Sequence, residues 1–152
     1  MSQALLFVDD DDDDIKLTLL GFRQQGFTPE VIVARDGKEA LERLFEDYAA
    51  SRPLPQAILT DLKMPRMDGL EFMRRLKEDP RLVDIPVGFL SSSSSETDVA
   101  EALRLGAKFY FQKPDDLDEY AGLVKELQKI MLPRETNNPS GEASRCVHER
   151  WP

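Results

Sequence analysis

The chain has 152 residues, 41% hydrophobic and 32% charged, and a formal net charge of −9. That is enough for one ordinary domain around a single core, and too acidic to hold nucleic acid through a basic face. No apolar stretch reaches the roughly 20 residues of a membrane helix, no basic flank or cleavage site marks a signal peptide, and the single cysteine, Cys146, excludes an internal disulfide. These features predict a cytoplasmic chain, with no membrane and no nucleic acid among its partners. The acidity favours something cationic, a metal ion or a basic protein surface.

In chain order, the first apolar run is ALLFV (4–8), and six consecutive aspartates follow it, Asp9 to Asp14. Alone, that run reads as a solvated acidic loop, a metal site or part of a reaction centre. Ile15, Leu19 and Phe22 then repeat at helical spacing, and Gly26 with Pro29 breaks the pattern before EVIVA (30–34). Ala40, Leu41, Leu44 and Phe45 predict a second helix, ended by Pro53 and Pro55 before QAILT (56–60). Leu70, Met73 and Leu76 predict a third helix, and Pro80 and Pro86 bracket its exit into IPVGFL (85–90). Val99 and Leu103 mark a fourth helix, Gly106 its end, and AKFYFQ (107–112) the last run. Leu123, Leu127 and Ile130 then mark a fifth helix. From Pro133 onward periodicity is lost, and three arginines balance three glutamates. The reading is therefore a domain over 1–132 and a flexible tail over 133–152. Cys146 and His148 in that tail are two metal-ligand types without partners.

The five runs are continuous rather than alternating, as strands covered on both faces should be. Five strands alternating with about five helices predict an α/β fold with a parallel sheet. Ligands in such folds sit beyond the carboxyl ends of the strands, at a topological switch point. The residues there are Asp9 and Asp10 after the first run, Asp61 after the third, Ser91 and Ser92 after the fourth, and Lys113 after the fifth. Each has an ordinary explanation: a helix cap for the aspartates, loop serines, a solvated lysine. Gathered at one sheet edge, they make a different object. Three close carboxylates need a cation to stay ionised together, and an all-oxygen set suits a hard divalent ion such as Mg²⁺. A freed aspartate can attack an electrophile, and Mg²⁺, an ammonium and a hydroxyl are what a transferring phosphoryl group requires.

The segments VDD, LTDLKMPRMDG, FLSS and FYFQKP, in that order and spacing, resemble the receiver domain of two-component response regulators over residues of about 3 to 131. PRMDGLEFMRRLKEDP, SSSSSETDV and DLDEY are similar to receivers associated with phytochromes, which act as stand-alone domains. The resemblance implies a doubly wound, five-stranded parallel sheet of flavodoxin-like (βα)5 type, strand order 2-1-3-4-5. It implies Asp61 as phosphoacceptor, Asp10 as direct Mg²⁺ ligand, Asp9 acting through a metal-bound water, and the backbone carbonyl of Lys63 as a further ligand. Ser91 and Lys113 would contact the phosphoryl group, Tyr110 would switch with Ser91, and the bond to Pro114 would be cis. The donor would be a sensor histidine kinase. Output, or a homodimer, would use the fourth helix, fifth strand and fifth helix, where Arg104, Phe109 and Tyr110 lie. Lys63 and Ser93 stand at the two positions that tune phosphoryl lifetime.

Other chemistries fit less well. A haloacid-dehalogenase-type phosphatase needs a second aspartate two residues after the nucleophile, where this chain has Lys63, and enzymatic turnover is accordingly not expected. A calcium loop counted from Asp9 has Asp14 in place of glycine at position six and Leu20 in place of glutamate at position twelve. The alternative to a phosphorylation switch is a receiver-like scaffold, or a phosphoryl relay or sink without a switched output.

Overall fold

The computed structural model describes residues 3–93 and 95–131. The reading of 133–152 as a tail, with Cys146 and His148, lies outside the described residues. Five parallel strands, β1 (Ala4–Val8), β2 (Glu30–Ala34), β3 (Ala57–Thr60), β4 (Val87–Ser91) and β5 (Phe109–Gln112), form one sheet in the order β2-β1-β3-β4-β5. They alternate with α1 (Asp12–Gln24), α2 (Gly37–Ala49), α3 (Gly69–Glu78), α4 (Glu96–Arg104) and α5 (Tyr120–Ile130). A short 3₁₀ turn, Leu117–Glu119, leads into α5. Strand order, parallel sense and helix number agree with the sequence reading, and no helix among the described residues is long and apolar enough to cross a membrane.

Alternation along each strand sends successive side chains to opposite faces, and here both faces are covered. Leu6, Val8, Ile58, Val87, Phe89 and Tyr110 face one core, against α2, α3 and α4. Leu5, Phe7, Leu59, Leu90 and Phe109 face the other, against α1 and α5. This double burial is why the runs read as continuous hydrophobes. Phe72, fully buried in α3, belongs to the first core although the apolar spacing had pointed only to Leu70, Met73 and Leu76. Phe45 instead lies partly exposed, with the Arg81 guanidinium 4.9 Å over its ring.

Four of the five α-helices begin on a side-chain cap: Asp11 accepts from the Asp14 amide, Asp36 from Glu39, Asp68 from Glu71, and Ser95 from Asp98. Each cap satisfies an amide that the first turn leaves open.

Candidate functional site

Because β1 and β3 pair in register, with Val8 opposite Thr60, the next residue of each chain segment emerges at the same level. The Asp61 amide donates to the Val8 carbonyl at 2.8 Å and the Asp9 amide to Ala34 at 3.0 Å, which fixes both backbones at the switch point between β1 and β3. On the other side of β3, Ser91 pairs with Gln112, and the Lys113 amide donates to the Ser91 carbonyl at 2.8 Å. Residues far apart in the chain thus meet at one edge.

Lys113 is the centre of the cluster. Its Nζ lies 2.7 Å from Asp14 Oδ2, 2.9 Å from Asp61 Oδ2 and 3.0 Å from Asp9 Oδ2, with the side chain only 12% exposed. Burial works against its positive charge, but hydrogen bonds to Asp14 and Asp61 more than offset this and push its pKa above the ordinary lysine range. Asp61 is held at both oxygens: Oδ1 accepts from the Leu62 amide at 2.6 Å, while Oδ2 faces the ammonium.

Asp9 is fully buried. Its Oδ1 accepts from the Asp11 amide at 3.0 Å. Its Oδ2 receives no well-directed hydrogen bond and is held only by the charge of Lys113. Burial pushes its pKa up to about 6, with the Asp61 charge adding to the rise and the Asp11 amide and Lys113 opposing it. Asp10 is exposed beside it, and carboxylate oxygens of Asp9, Asp10 and Asp61 lie within 4.8 Å of one another. An all-oxygen trio with one buried, under-satisfied oxygen fits a hard divalent cation.

The loop from β3 to α3 is braced from below. Gly69 donates to the Leu62 carbonyl at 2.7 Å, and a Cβ on Gly69 would collide with the Asp61 carbonyl oxygen, so this close approach requires glycine. Lys63, exposed, lies two residues after Asp61 in this loop. Arg66 turns the chain with a left-handed φ of 65° and sends Nε to within 2.7 Å of Asp36 Oδ2, while the Gly37 amide donates to the Met67 carbonyl at 3.1 Å.

Ser91 is buried, its Oγ accepting from the Ser93 amide at 3.1 Å, whereas Ser92 is exposed. Tyr110 is buried, stacked on Phe89 at 5.8 Å, and its hydroxyl donates to the Ser93 carbonyl at 3.0 Å. Burial pushes the Tyr110 hydroxyl's pKa up. Two expectations need correction. The Lys113–Pro114 bond is trans, as is every described peptide bond: the trans form is preferred even before proline, and from it Lys113 already reaches Asp61. Phe109 is not on the output face, because strand alternation turns it into the core beneath α1 and α5. Arg104 is exposed there and paired with Glu101. The sequence reading missed two contacts, Asp14 to Lys113 and Arg66 to Asp36. Neither has a local signal, since both join residues at least 30 positions apart.

A parallel α/β sheet with an acidic trio at its switch point and a half-buried lysine just after the last strand is the arrangement of a receiver. The chain matches the family model of the response regulator receiver domain over residues 5–125 and belongs to that family. It is 31% identical to the response regulator Rcp1 of Synechocystis sp. over 132 residues, covering 86% of this chain and 89% of Rcp1. The crystal structure of the phosphorylated cyanobacterial phytochrome response regulator RcpA is similar at 34% identity and a TM-score of 0.73, over 86% of this chain and 94% of RcpA. The Mn²⁺-bound form of Rcp1 matches at 29% identity and a TM-score of 0.69, over 84% of this chain and 92% of Rcp1.

Proposed function

We propose that this response regulator is a phosphorylation switch in which Asp61 accepts a phosphoryl group from a sensor histidine kinase of the phytochrome type, with Mg²⁺ as the cofactor. The observation that carries the reading is Lys113 Nζ at 2.9 Å from Asp61 Oδ2, beside a carboxylate trio suited to a divalent cation. Asp10 and Asp61, with the Lys63 carbonyl, would hold the ion directly, and Asp9 would orient a water on it. When bound, Mg²⁺ offsets the charge on the phosphoryl oxygens.

The protein's own groups then have distinct tasks. An Asp61 carboxylate oxygen forms a bond to phosphorus as the P–N bond of the phosphohistidine breaks. The electron pair leaves on the imidazole nitrogen, which takes a proton from solvent. Lys113 donates to a phosphoryl oxygen. Ser91 turns its Oγ from the Ser93 amide toward another, and Tyr110, bonded to the Ser93 carbonyl, follows that segment. Hydrolysis reverses the state: water attacks phosphorus, the bond to Asp61 breaks, and inorganic phosphate leaves. Lys63 and Ser93 flank this water's approach. No external substrate is turned over. The changed surface over α4, β5 and α5 engages a protein partner or a second copy of the chain, in the cytoplasm. New charge-assisted bonds to the phosphoryl suffice to move a two-state equilibrium by a few kcal/mol.

The test is incubation with Mg²⁺ and acetyl phosphate, followed by intact mass measurement. Wild type should gain one phosphoryl group, and EDTA or Asp61→Asn should abolish the gain. A wild type that stays unlabelled while a control receiver labels fully would leave a scaffold in place of a switch.

A further inference from the structure

We infer that Asp14 is a positioning residue for phosphoryl transfer, holding the Lys113 ammonium in place throughout the reaction. This rests on the phosphoacceptor role proposed for Asp61. The shortest of the three ion pairs made by Lys113 is to Asp14, at 2.7 Å, and it crosses from the first turn of α1 to the end of β5. The ammonium directs proton donors at Asp14 and Asp61, while Asp9 faces only its charge. Two of those partners change during the reaction. Asp61 loses its carboxylate charge when it becomes an acyl phosphate, and Asp9 faces the cation site. Asp14 alone neither reacts nor belongs to the trio around that site. It is the constant partner.

Asp14 is itself well anchored. Its amide donates to the Asp11 cap at 3.0 Å. One turn further along α1, the Thr18 and Tyr120 hydroxyls form a buried hydrogen bond of 3.1 Å. The Tyr120 ring packs so closely on Gly21 that a Cβ there would overlap it. α1 is thereby fixed against α5, and Asp14 presents its carboxylate from a rigid element. A free lysine side chain carries considerable rotamer entropy. A fixed second anion lets the ammonium meet the phosphoryl group without first searching for it.

The neighbouring aspartates supply the control. Asp13 is exposed on the same turn, and the ion pairs of Lys113 go to Asp9, Asp14 and Asp61, so Asp13→Asn removes the same charge without touching the lysine. Initial rates of labelling by acetyl phosphate, read by intact mass, should fall about tenfold in Asp14→Ala. Asp14→Asn keeps an acceptor but no charge and should fall about threefold. Mg²⁺ affinity, read by thermal shift, should stay at the wild-type value. In a Lys113→Ala background, measured over longer times, Asp14→Ala should have no further effect. The inference is overturned if Asp14→Ala labels like Asp13→Asn, if its effect persists without Lys113, or if Mg²⁺ affinity falls as far as in Asp10→Ala. An unlabelled wild type would overturn the phosphoacceptor reading, and this inference with it.

Discussion

Asp9 and Asp36 are both buried carboxylates at the same edge of the sheet, 0% and 3% exposed, and both stand just after a strand. Their surroundings differ in one respect. Burial disfavours the charge of each, but Asp36 has every need met: the Glu39 amide at 2.8 Å caps it, and Arg66 pairs with it at 2.7 Å. These bonds outweigh desolvation and hold its pKa below the usual carboxylate range. Asp9 shares one ammonium with two other carboxylates and keeps an oxygen without a directed donor, so its pKa rises to about 6. The satisfied carboxylate fastens two loops together. The under-satisfied one stores an electrostatic cost that a cation can relieve.

The largest way to break this contrast is to neutralise each residue in turn, without divalent ions. Asp9→Asn should stabilise the protein at pH 7 by up to about 3 kcal/mol, the size of a shift from 3.8 to about 6. Asp36→Ala should destabilise it by about 2 kcal/mol, through the lost cap and ion pair. Urea unfolding reads both. Destabilisation by Asp9→Asn comparable to that of Asp36→Ala would make Asp9 an ordinary structural carboxylate.

The pH dependence should also run in opposite directions. The folded protein holds the Asp9 proton more tightly than the unfolded chain does. That contribution is fully present below about 3.8 and is lost as pH rises through about 6. The metal-free wild type should therefore lose ground to Asp9→Asn between about pH 4 and 6. Asp36, with its folded pKa depressed, contributes stability above 3.8 that disappears as pH falls through its folded value. The wild-type advantage over Asp36→Asn should accordingly vanish in acid. Parallel rather than crossing profiles would contradict the contrast.

The smallest effect is expected at the strap formed by the Arg66–Asp36 ion pair. Arg66 is half exposed, so Arg66→Met should cost at most about 1 kcal/mol of stability. Its loop leads from Asp61 through Lys63, however, so Mg²⁺ affinity should weaken by a few-fold in a thermal-shift titration. Unchanged affinity would confine the strap to a structural role.

The contrast also marks how far the sequence could be read. Strands were legible because double burial demands unbroken apolar runs, and Asp9, Asp10, Asp61, Ser91 and Lys113 stood out because a parallel sheet collects strand ends. The six aspartates divide into a strand-end pair, Asp9 and Asp10, and a helix entrance, with Asp11 as the cap. What the run hid was Asp14, whose position in the first turn suggests capping and whose partner is 99 residues away. Arg66 was hidden for the same reason, its partner Asp36 being 30 residues away. Such contacts depend on helix placement against the sheet, which local pattern does not encode.

The central claim is that the phosphoryl group resides on Asp61. It is tested most directly by treating the acetyl-phosphate-labelled protein with borohydride, which reduces an acyl phosphate to the alcohol with loss of phosphate, and sequencing the peptides. Homoserine at position 61, and only in the labelled sample, is the predicted result. Homoserine at position 9 or 10, or none in a sample whose intact mass shows the added phosphoryl group, would contradict the account.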